Sequence, residues 1–263
     1  MQWNSAFDGP WSAESVRKYR EGGFDGLVLS PSADWAPSDL DFLAELTGLR
    51  LFSLRSKLRR DLAAFHIDTL EDLTLVTGSR LPVPNAVQPE LRRLCVTDRP
   101  GLEIDPRWPM LEWFRLGTWR GTDCQILSGA ERLATVHIEG RRQSGTLEGI
   151  EECQSLENLT TINYSIGDTA PLRALNNLVE VKLLAAHPTP SHGRVDVSDV
   201  AGGSLSKLWI ANAPALSGIE SLSENPMLRE VRLIDCGLAE SDQRVLDALP
   251  KWVEVRIVTT RKK

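Results

Sequence analysis

Long apolar segments are missing from this sequence. No uninterrupted apolar stretch approaches the about 18 residues that a membrane-spanning helix needs. The first residues, MQWNSAFDGPWSAES, have neither the basic segment nor the apolar segment of a secretory signal. These two absences predict a cytoplasmic protein without a membrane anchor.

Cysteine and histidine are scarce, and their spacing is uninformative for metal chemistry. The four cysteines form no C-x-x-C pair and have no histidine at metal-ligand spacing. This excludes a zinc site or a disulfide framework of known spacing and predicts free, buried thiols. His187 and His192 lie five residues apart in a Pro-rich segment. Without a third ligand we favour two solvated histidines over a metal site, and we predict no metal and no cofactor.

Motifs of catalysis are also absent. The sequence contains neither G-x-G-x-x-G nor G-x-x-x-x-G-K-[ST], so it has no recognisable phosphate loop. No serine or cysteine lies in a nucleophile motif beside one of the four histidines. We therefore predict that the protein is not an enzyme. A hydrolase that depends on His187 or His192 remains a remote alternative.

Positive charge is in deficit. The formal net charge is −6 at pH 7, which argues against nucleic acid as the main partner and fits a basic protein partner. Of the 30 basic residues, 23 are arginine and seven are lysine, a bias that we interpret as a sign of a bacterial genome rich in G and C. With 263 residues and 41% hydrophobic residues, the chain can bury a sizeable core.

What the chain does contain is a repeat. In the segment from 147 to 183, apolar residues occupy positions one, four and six of a short unit twice, at Leu159, Ile162 and Tyr164 and again at Leu178, Val181 and Leu183. Eleven such units follow one another from residue 24 to residue 260, with first positions at 24, 49, 70, 91, 111, 133, 159, 178, 205, 228 and 252. The steps of 19 to 27 residues predict a stack of similar coils.

The spacing L-x-x-L-x-L resembles the leucine-rich repeat family, in particular the irregular bacterial type with internalin-like repeats of about 22 residues. This resemblance implies an α/β fold, a right-handed solenoid with one long parallel β-sheet on its concave face and short helices or loops on its convex face. One feature departs from the family. The ninth position, usually Asn or Cys, conforms only at Cys236.

The predicted domain organisation is simple. Residues 1–263 form a single leucine-rich repeat domain, with an N-terminal capping segment at 1–23 and about eleven repeats at 24–260. The capping segment lacks the repeat spacing, and its residues predict one short helix that begins near Ser12 and ends at Gly22 or Gly23. Further helical turns are predicted for SDLDFLAEL and for ESDQRVLDAL, whereas SRLPVPNAVQPE and AHPTPSHGR are predicted loops.

The outward positions carry the candidate binding residues. Because side chains alternate along a strand, positions four and six point into the core and positions three and five point out. Aromatic and arginine residues dominate binding hot spots. The predicted partner-binding residues are Arg93, Trp113, Arg115, Trp119, His137, Lys182, Lys207, Trp209 and Arg232. An equally weighted interpretation is that the tryptophans pack over the aliphatic parts of neighbouring side chains. In this interpretation charges pair across strands, for example Glu230 with Lys207.

Together these features predict a non-catalytic protein-protein interaction module that binds a partner on its concave face. One specific version is an immunity protein that neutralises a basic toxin. The alternative is a self-associating scaffold or assembly subunit whose Trp-rich face binds its own copy. Leucine-rich families that perform catalysis carry a separate catalytic domain, and here the repeats occupy nearly the whole sequence.

Overall fold

A computed structural model describes residues 3–7, 11–31, 37–104, 107–186 and 195–260, with only the backbone described for 3–7. The chain divides into two compact units, Met1–Gly117 and Thr118–Lys263. The predicted loop with His187 and His192 lies outside the described residues.

The first unit is a ladder of parallel strands in chain order. They are β1 (Trp3–Phe7), β2 (Gly26–Leu29), β3 (Leu51–Arg55), β4 (Asp72–Val76), β5 (Arg93–Thr97) and β6 (Trp113–Trp119), whose last two residues belong to the second unit. From β2 to β6 each repeat position pairs with the same position of the next coil, as Leu27 does with Phe52. The repeat spacing therefore sets the strand register.

The second unit continues the same arrangement. Its strands are β7 (Thr135–Gly145), β8 (Asn158–Ile166), β9 (Glu180–Leu184), β10 (Val195–Asp196), β11 (Lys207–Ala211), β12 (Leu216–Ser217), β13 (Glu230–Ile234) and β14 (Glu254–Val258). The sheet order is β7-β8-β9-β11-β13-β14, and β10 pairs with β12 in a separate two-stranded ladder. All strands except β10 and β12 belong to one sheet, so the prediction of one long parallel sheet is confirmed.

The core is built from the repeat positions. In the inner coils the residues at positions one, four and six are buried, among them Leu91, Leu94, Val96, Leu111, Phe114 and Leu116. Burying one large apolar side chain stabilises the folded state by roughly 1.5–3 kcal/mol. Because each coil supplies three such groups and cannot cover them alone, stability comes from stacking neighbouring coils.

One repeat was placed in the wrong register. Asn158 pairs with Thr135 and with Glu180, which are both third positions, so the first position of this coil is Leu156 and not Leu159. Leu156 is fully buried, and Leu159 occupies the fourth position. The sixth position is Thr161, which is also fully buried, although its hydroxyl has no hydrogen-bond partner among the described residues. This coil therefore begins at residue 156, between the coils that begin at residues 133 and 178.

The turns after the strands are held by side chains, although not by an asparagine at position nine. Several non-glycine residues at position eight have a positive φ angle, namely Thr118, Asn163, Asn212 and Asp235. Asn and Asp tolerate this left-handed conformation better than other residues because their short polar side chains bond locally. The Nδ2 group of Asn212 donates to the carbonyl of Ala185 at 2.8 Å. In this coil the side chain that bonds the neighbouring backbone therefore stands at position eight, one residue before the position that is usually Asn or Cys.

The helical segments agree with the sequence analysis. Helix α1 (Ala13–Glu21) begins after Ser12, whose side chain forms a capping box with Ser15. Helix α2 (Glu240–Asp247) lies in the predicted ESDQRVLDAL segment. Elsewhere in the described residues, segments between the strands form 3₁₀ turns at Asp41–Glu45, Leu62–His66, Gln125–Leu127, Ile150–Glu152, Ala170–Ala174, Val197–Asp199 and Ile219–Glu224.

One element was not expected from the sequence. Strand β1 pairs with β2 in parallel, with Trp3 opposite Gly26 and Phe7 opposite Leu29. The segment before the repeats therefore adds a strand to the sheet although it lacks the repeat spacing. Its role as a cap stays a prediction.

Candidate partner-binding surface

The outer face of the sheet is defined here by the side chains at positions three, five and seven of each strand. Because positions four and six are buried, strand alternation places the odd positions on the opposite face. Most of the predicted binding residues are on this face, at positions three and five: Arg93, Trp113, Arg115, His137, Lys182, Lys207, Trp209 and Arg232.

On its outer face the first unit carries the Trp113 cluster, which consists of Asp72, Arg93 and Trp113. The guanidinium of Arg93 lies 4.6 Å from the ring centroid of Trp113, and its Nε lies 3.2 Å from a carboxylate oxygen of Asp72. Partial burial raises the pKa of Asp72, and the charge of Arg93 opposes this effect. Arg115 is half-buried on the same strand, two residues beyond Trp113. A cation and an indole are thus fixed together on the outer face.

The second unit holds the Trp209 cluster, which consists of Lys182, Lys207, Trp209 and Arg232. Strand β11 carries Trp209 between β9 and β13. From these two neighbours, Lys182 Nζ approaches the ring centroid to 4.4 Å and the Arg232 guanidinium approaches it to 4.1 Å. Cations over an indole ring are attracted by its quadrupole, by about 0.5–2 kcal/mol each. The ring is therefore clamped by cations from both adjacent strands.

Carboxylates at position three hold these cations in place. Glu180 lies 2.5 Å from Lys182 and 3.4 Å from Lys207, and Glu230 lies 3.0 Å from Arg232. Burial raises the pKa of Glu180, but hydrogen bonds and charge from Lys182 and Lys207 outweigh it, so the pKa is lowered overall. Charges do pair across strands, but the predicted pair of Glu230 with Lys207 is wrong. Lys207 pairs with Glu180 of β9, and Glu230 pairs with Arg232 on its own strand.

The outer face of the second unit is ordered in three rows, one at each odd position of its strands. From β9 to β14, position three is mostly acidic, with Glu180, Lys207, Glu230 and Glu254. Position five is basic or aromatic, with Lys182, Trp209, Arg232 and Arg256. Position seven is apolar, with Leu184, Ala211, Ile234 and Val258. The period-two signal would have revealed the apolar row if position seven had been included.

Two predicted binding residues have different surroundings. Trp119 is only 7% exposed, and its ring lies against the backbone of Gly121. His137 is half-buried at position five of β7, opposite Thr160 of β8. The described surface therefore presents two aromatic clusters, around Trp113 and around Trp209, and leaves Trp119 inside.

Solved structures with the same architecture identify the fold. An internalin from Listeria monocytogenes aligns with 90% of this chain at a TM-score of 0.55 and 17% sequence identity. The protein has the leucine-rich repeat fold. The chain spans 61% of the length of that internalin. The sequence matches no protein-family model and no curated protein.

Two further solved structures show the same kind of likeness at lower similarity. An internalin C2 from Listeria monocytogenes aligns with 82% of this chain and 83% of its own length, with 15% identity and a TM-score of 0.48. A leucine-rich repeat protein from Leptospira interrogans aligns with 85% of this chain and 64% of its own length, with 14% identity and a TM-score of 0.43.

Within this leucine-rich repeat fold, the described residues contain no group of three or more His, Cys, Asp or Glu that could hold a metal ion. No described helix has both the length and the apolar character required to span a bilayer. The histidines of the remote hydrolase alternative, His187 and His192, lie outside the described residues.

The cysteines provide a first testable prediction. All four are free thiols, and burial raises the pKa of Cys124 and Cys153 to about 12, with nearby carboxylates adding to the effect. At pH 8 only about one in 10,000 of these thiols is then a thiolate. We expect a disulfide reagent to label both residues roughly 1,000-fold more slowly than a free thiol. Peptide mass spectrometry of labelled native protein measures this, with guanidinium-unfolded protein as the control. Labelling of either residue within minutes would contradict the buried placement.

Proposed function

We propose that this protein is a non-catalytic protein-binding module whose partner contacts the outer face of the sheet at the Trp209 cluster. The observation that supports this is the cation-clamped indole of Trp209 on a face opposite the core. Tryptophan and arginine are the residues that most often dominate binding energy at protein interfaces.

The Trp209 cluster is preorganised. Glu180 and Glu230 restrain the cations that hold the indole, so little side-chain freedom remains to be lost on binding. Ordering a flexible side chain at an interface costs about 0.5–1.5 kcal/mol. A surface that has already lost this freedom binds a partner more favourably for the same contact area.

The apolar row extends the proposed contact. Leu184 and Ile234 are half-buried and lie two positions beyond Lys182 and Arg232 on the same strands. Interfaces combine an apolar centre with a polar rim. The side-by-side apolar and charged rows of this face therefore support a protein partner more than a small molecule or a nucleic acid.

The proposed partner is basic. The net charge of −6 favours association with a positively charged protein. In the more specific version of this proposal the partner is a toxin that binding neutralises. A toxicity assay in which co-expression of this protein restores growth, and the Trp209→Ala variant does not, tests that version.

The binding proposal itself is tested by affinity capture with mass spectrometry, followed by measurement of the captured partner's affinity. Replacing Trp113, Arg115 and Trp209 together by alanine should weaken binding at least about 30-fold, equivalent to about 2 kcal/mol. Folding should persist, because none of the three side chains lies in the core. Single variants then show which aromatic cluster carries the effect.

A matched control is Arg244→Ala on α2, whose side chain is 80% exposed and lies away from the outer face. It should bind like the parent. Unchanged capture by the triple variant would refute the proposed site. A hydrolase screen tests the non-catalytic part of the proposal, because turnover that disappears when His187 or His192 is replaced would assign an activity.

A further inference from the structure

In the part of the chain that the structure describes, β14 is the last strand of the sheet, and its exposed edge carries apolar side chains. Trp252 is 63% exposed, Ile257 39% and Val258 41%. In the inner coils the first and sixth positions, which Trp252 and Ile257 occupy here, are covered by the next coil. Among the described residues, β13 is the only strand beside β14. Large exposed apolar groups beside an open strand edge mark an interaction site.

The backbone of β14 shows which groups are available for pairing. Glu254 donates its N–H to the carbonyl of Arg229, and the carbonyl of Val258 accepts from the N–H of Asp235. Residues 254 and 258 therefore point their backbone groups toward β13. Since these groups alternate along a strand, those of Val255 and Ile257 point away from the sheet and can bind another strand.

We propose that β14 pairs with β14 of a second copy of this chain, in an antiparallel ladder centred on Val255. Only registers that oppose outward-pointing residues can form hydrogen bonds, which allows a centre at any residue from 253 to 257. Centres at 253 and 257 leave Glu254 and Arg256 without a charged residue opposite them. A centre at 254 opposes two Glu254 side chains, and a centre at 256 opposes two Arg256 side chains. Like charges directly opposite each other destabilise a ladder. A centre at 255 places Glu254 opposite Arg256 twice.

The same register also matches the apolar residues. Val255 faces its own copy across the two-fold axis, and Ile257 lies opposite Val253, the residue before the strand. The self-complementarity of residues 253–257 is the reason for choosing a second copy as the occupant. A two-fold interface of this kind is closed, so it produces a dimer and not a filament.

This dimer is independent of the proposed function, because the Trp209 cluster lies on β9, β11 and β13. Light scattering coupled to gel filtration should give a mass of about twice 29.2 kDa. Glu254→Arg places arginine opposite Arg256 in both pairs and should raise the dimer dissociation constant at least tenfold. Arg256→Glu should do the same with glutamates.

The double variant Glu254→Arg with Arg256→Glu restores opposite charges across the axis, so it should recover the dimer. Circular dichroism checks that all three variants are folded. A parent that remains a monomer at 100 μM or more would overturn the proposal, whether the edge is free or covered by another segment. A dimer that survives both single charge changes would overturn it as well.

Thiol cross-linking tests the register. Val255→Cys faces its own copy and should be cross-linked between chains by a bifunctional thiol reagent about 8 Å long, because the Cβ atoms of a hydrogen-bonded pair lie about 5.5 Å apart, too far for a direct disulfide. Ile257→Cys faces Val253 and should not. Cross-linking through Ile257→Cys in preference to Val255→Cys would overturn the register, and the parent protein controls for the native thiols.

Discussion

Replacing Asp61 by alanine is expected to lower the free energy of unfolding by about 3–5 kcal/mol, because it leaves the charge of Arg99 buried without its partner. Both side chains are completely buried, and two guanidinium nitrogens of Arg99 each lie 2.9 Å from a different carboxylate oxygen of Asp61. Thr77 donates its hydroxyl to Asp61, and the Arg99 guanidinium lies 5.4 Å from the ring centroid of Phe65. The hydrogen bonds and charges of Asp61, Thr77 and Arg99 are therefore balanced only when all three side chains are present.

Urea unfolding followed by circular dichroism measures this change. A second variant, Asp61→Leu with Arg99→Met, removes both charges and should recover most of the lost stability, since an apolar pair of similar size can replace a buried ion pair. The exposed pair of Arg92 and Glu112 is a matched control, and Arg92→Met should change stability by less than about 1 kcal/mol. A similarly small loss for Asp61→Ala would contradict the buried arrangement.

Replacing Thr161 by aspartate is expected to destabilise the second unit by several kcal/mol. The side chain of Thr161 is fully buried at the sixth position of β8, and an ionised carboxylate there would have no cation to pair with. In the register first assigned from the sequence, the same residue occupies an outward third position and would tolerate aspartate. This single substitution therefore distinguishes the two registers.

The adjacent residue provides the control. Ile162 is half-buried on the outer face, so Ile162→Asp should cost less than about 1 kcal/mol. Thr161→Val should raise stability by about 1 kcal/mol, because the Thr161 hydroxyl has no hydrogen-bond partner among the described residues. Thermal unfolding of the three variants measures their order of stability. A larger loss for Ile162→Asp than for Thr161→Asp would restore the original register.

The misplaced repeat shows the limit of pattern matching. Leu159, Ile162 and Tyr164 match three apolar positions, whereas the true set of Leu156, Leu159 and Thr161 matches only two. Local hydrophobicity therefore favours the wrong alternative. The step lengths contained the correct signal, because a start at 156 gives steps of 23 and 22 residues in place of 26 and 19. Pairing with β7 and β9 decides the register, since every backbone group of a central strand needs a partner.

The ninth position illustrates the same limit for a polar residue. In the sequence, Arg99 is simply a residue that replaces the usual Asn or Cys. Its partner Asp61 lies 38 residues earlier, outside the range of any local motif. The same holds for Trp209, whose indole is predictable as outward-facing, while its cations come from Lys182 and Arg232 on two different coils.

The sequence by itself determined the fold class, the course of the strands in ten of the eleven coils, the two α-helices and the outward direction of Trp113 and Trp209. It could do so because period-two alternation and the repeat spacing are local properties, which can be recognised without knowing which coils lie side by side. The tertiary structure alone decided the register of β8, the burial of Trp119, the Asp61–Arg99 pair and the exposure of β14. Each of these depends on which coil lies beside which, and therefore on hydrogen bonding and burial between residues far apart in the chain.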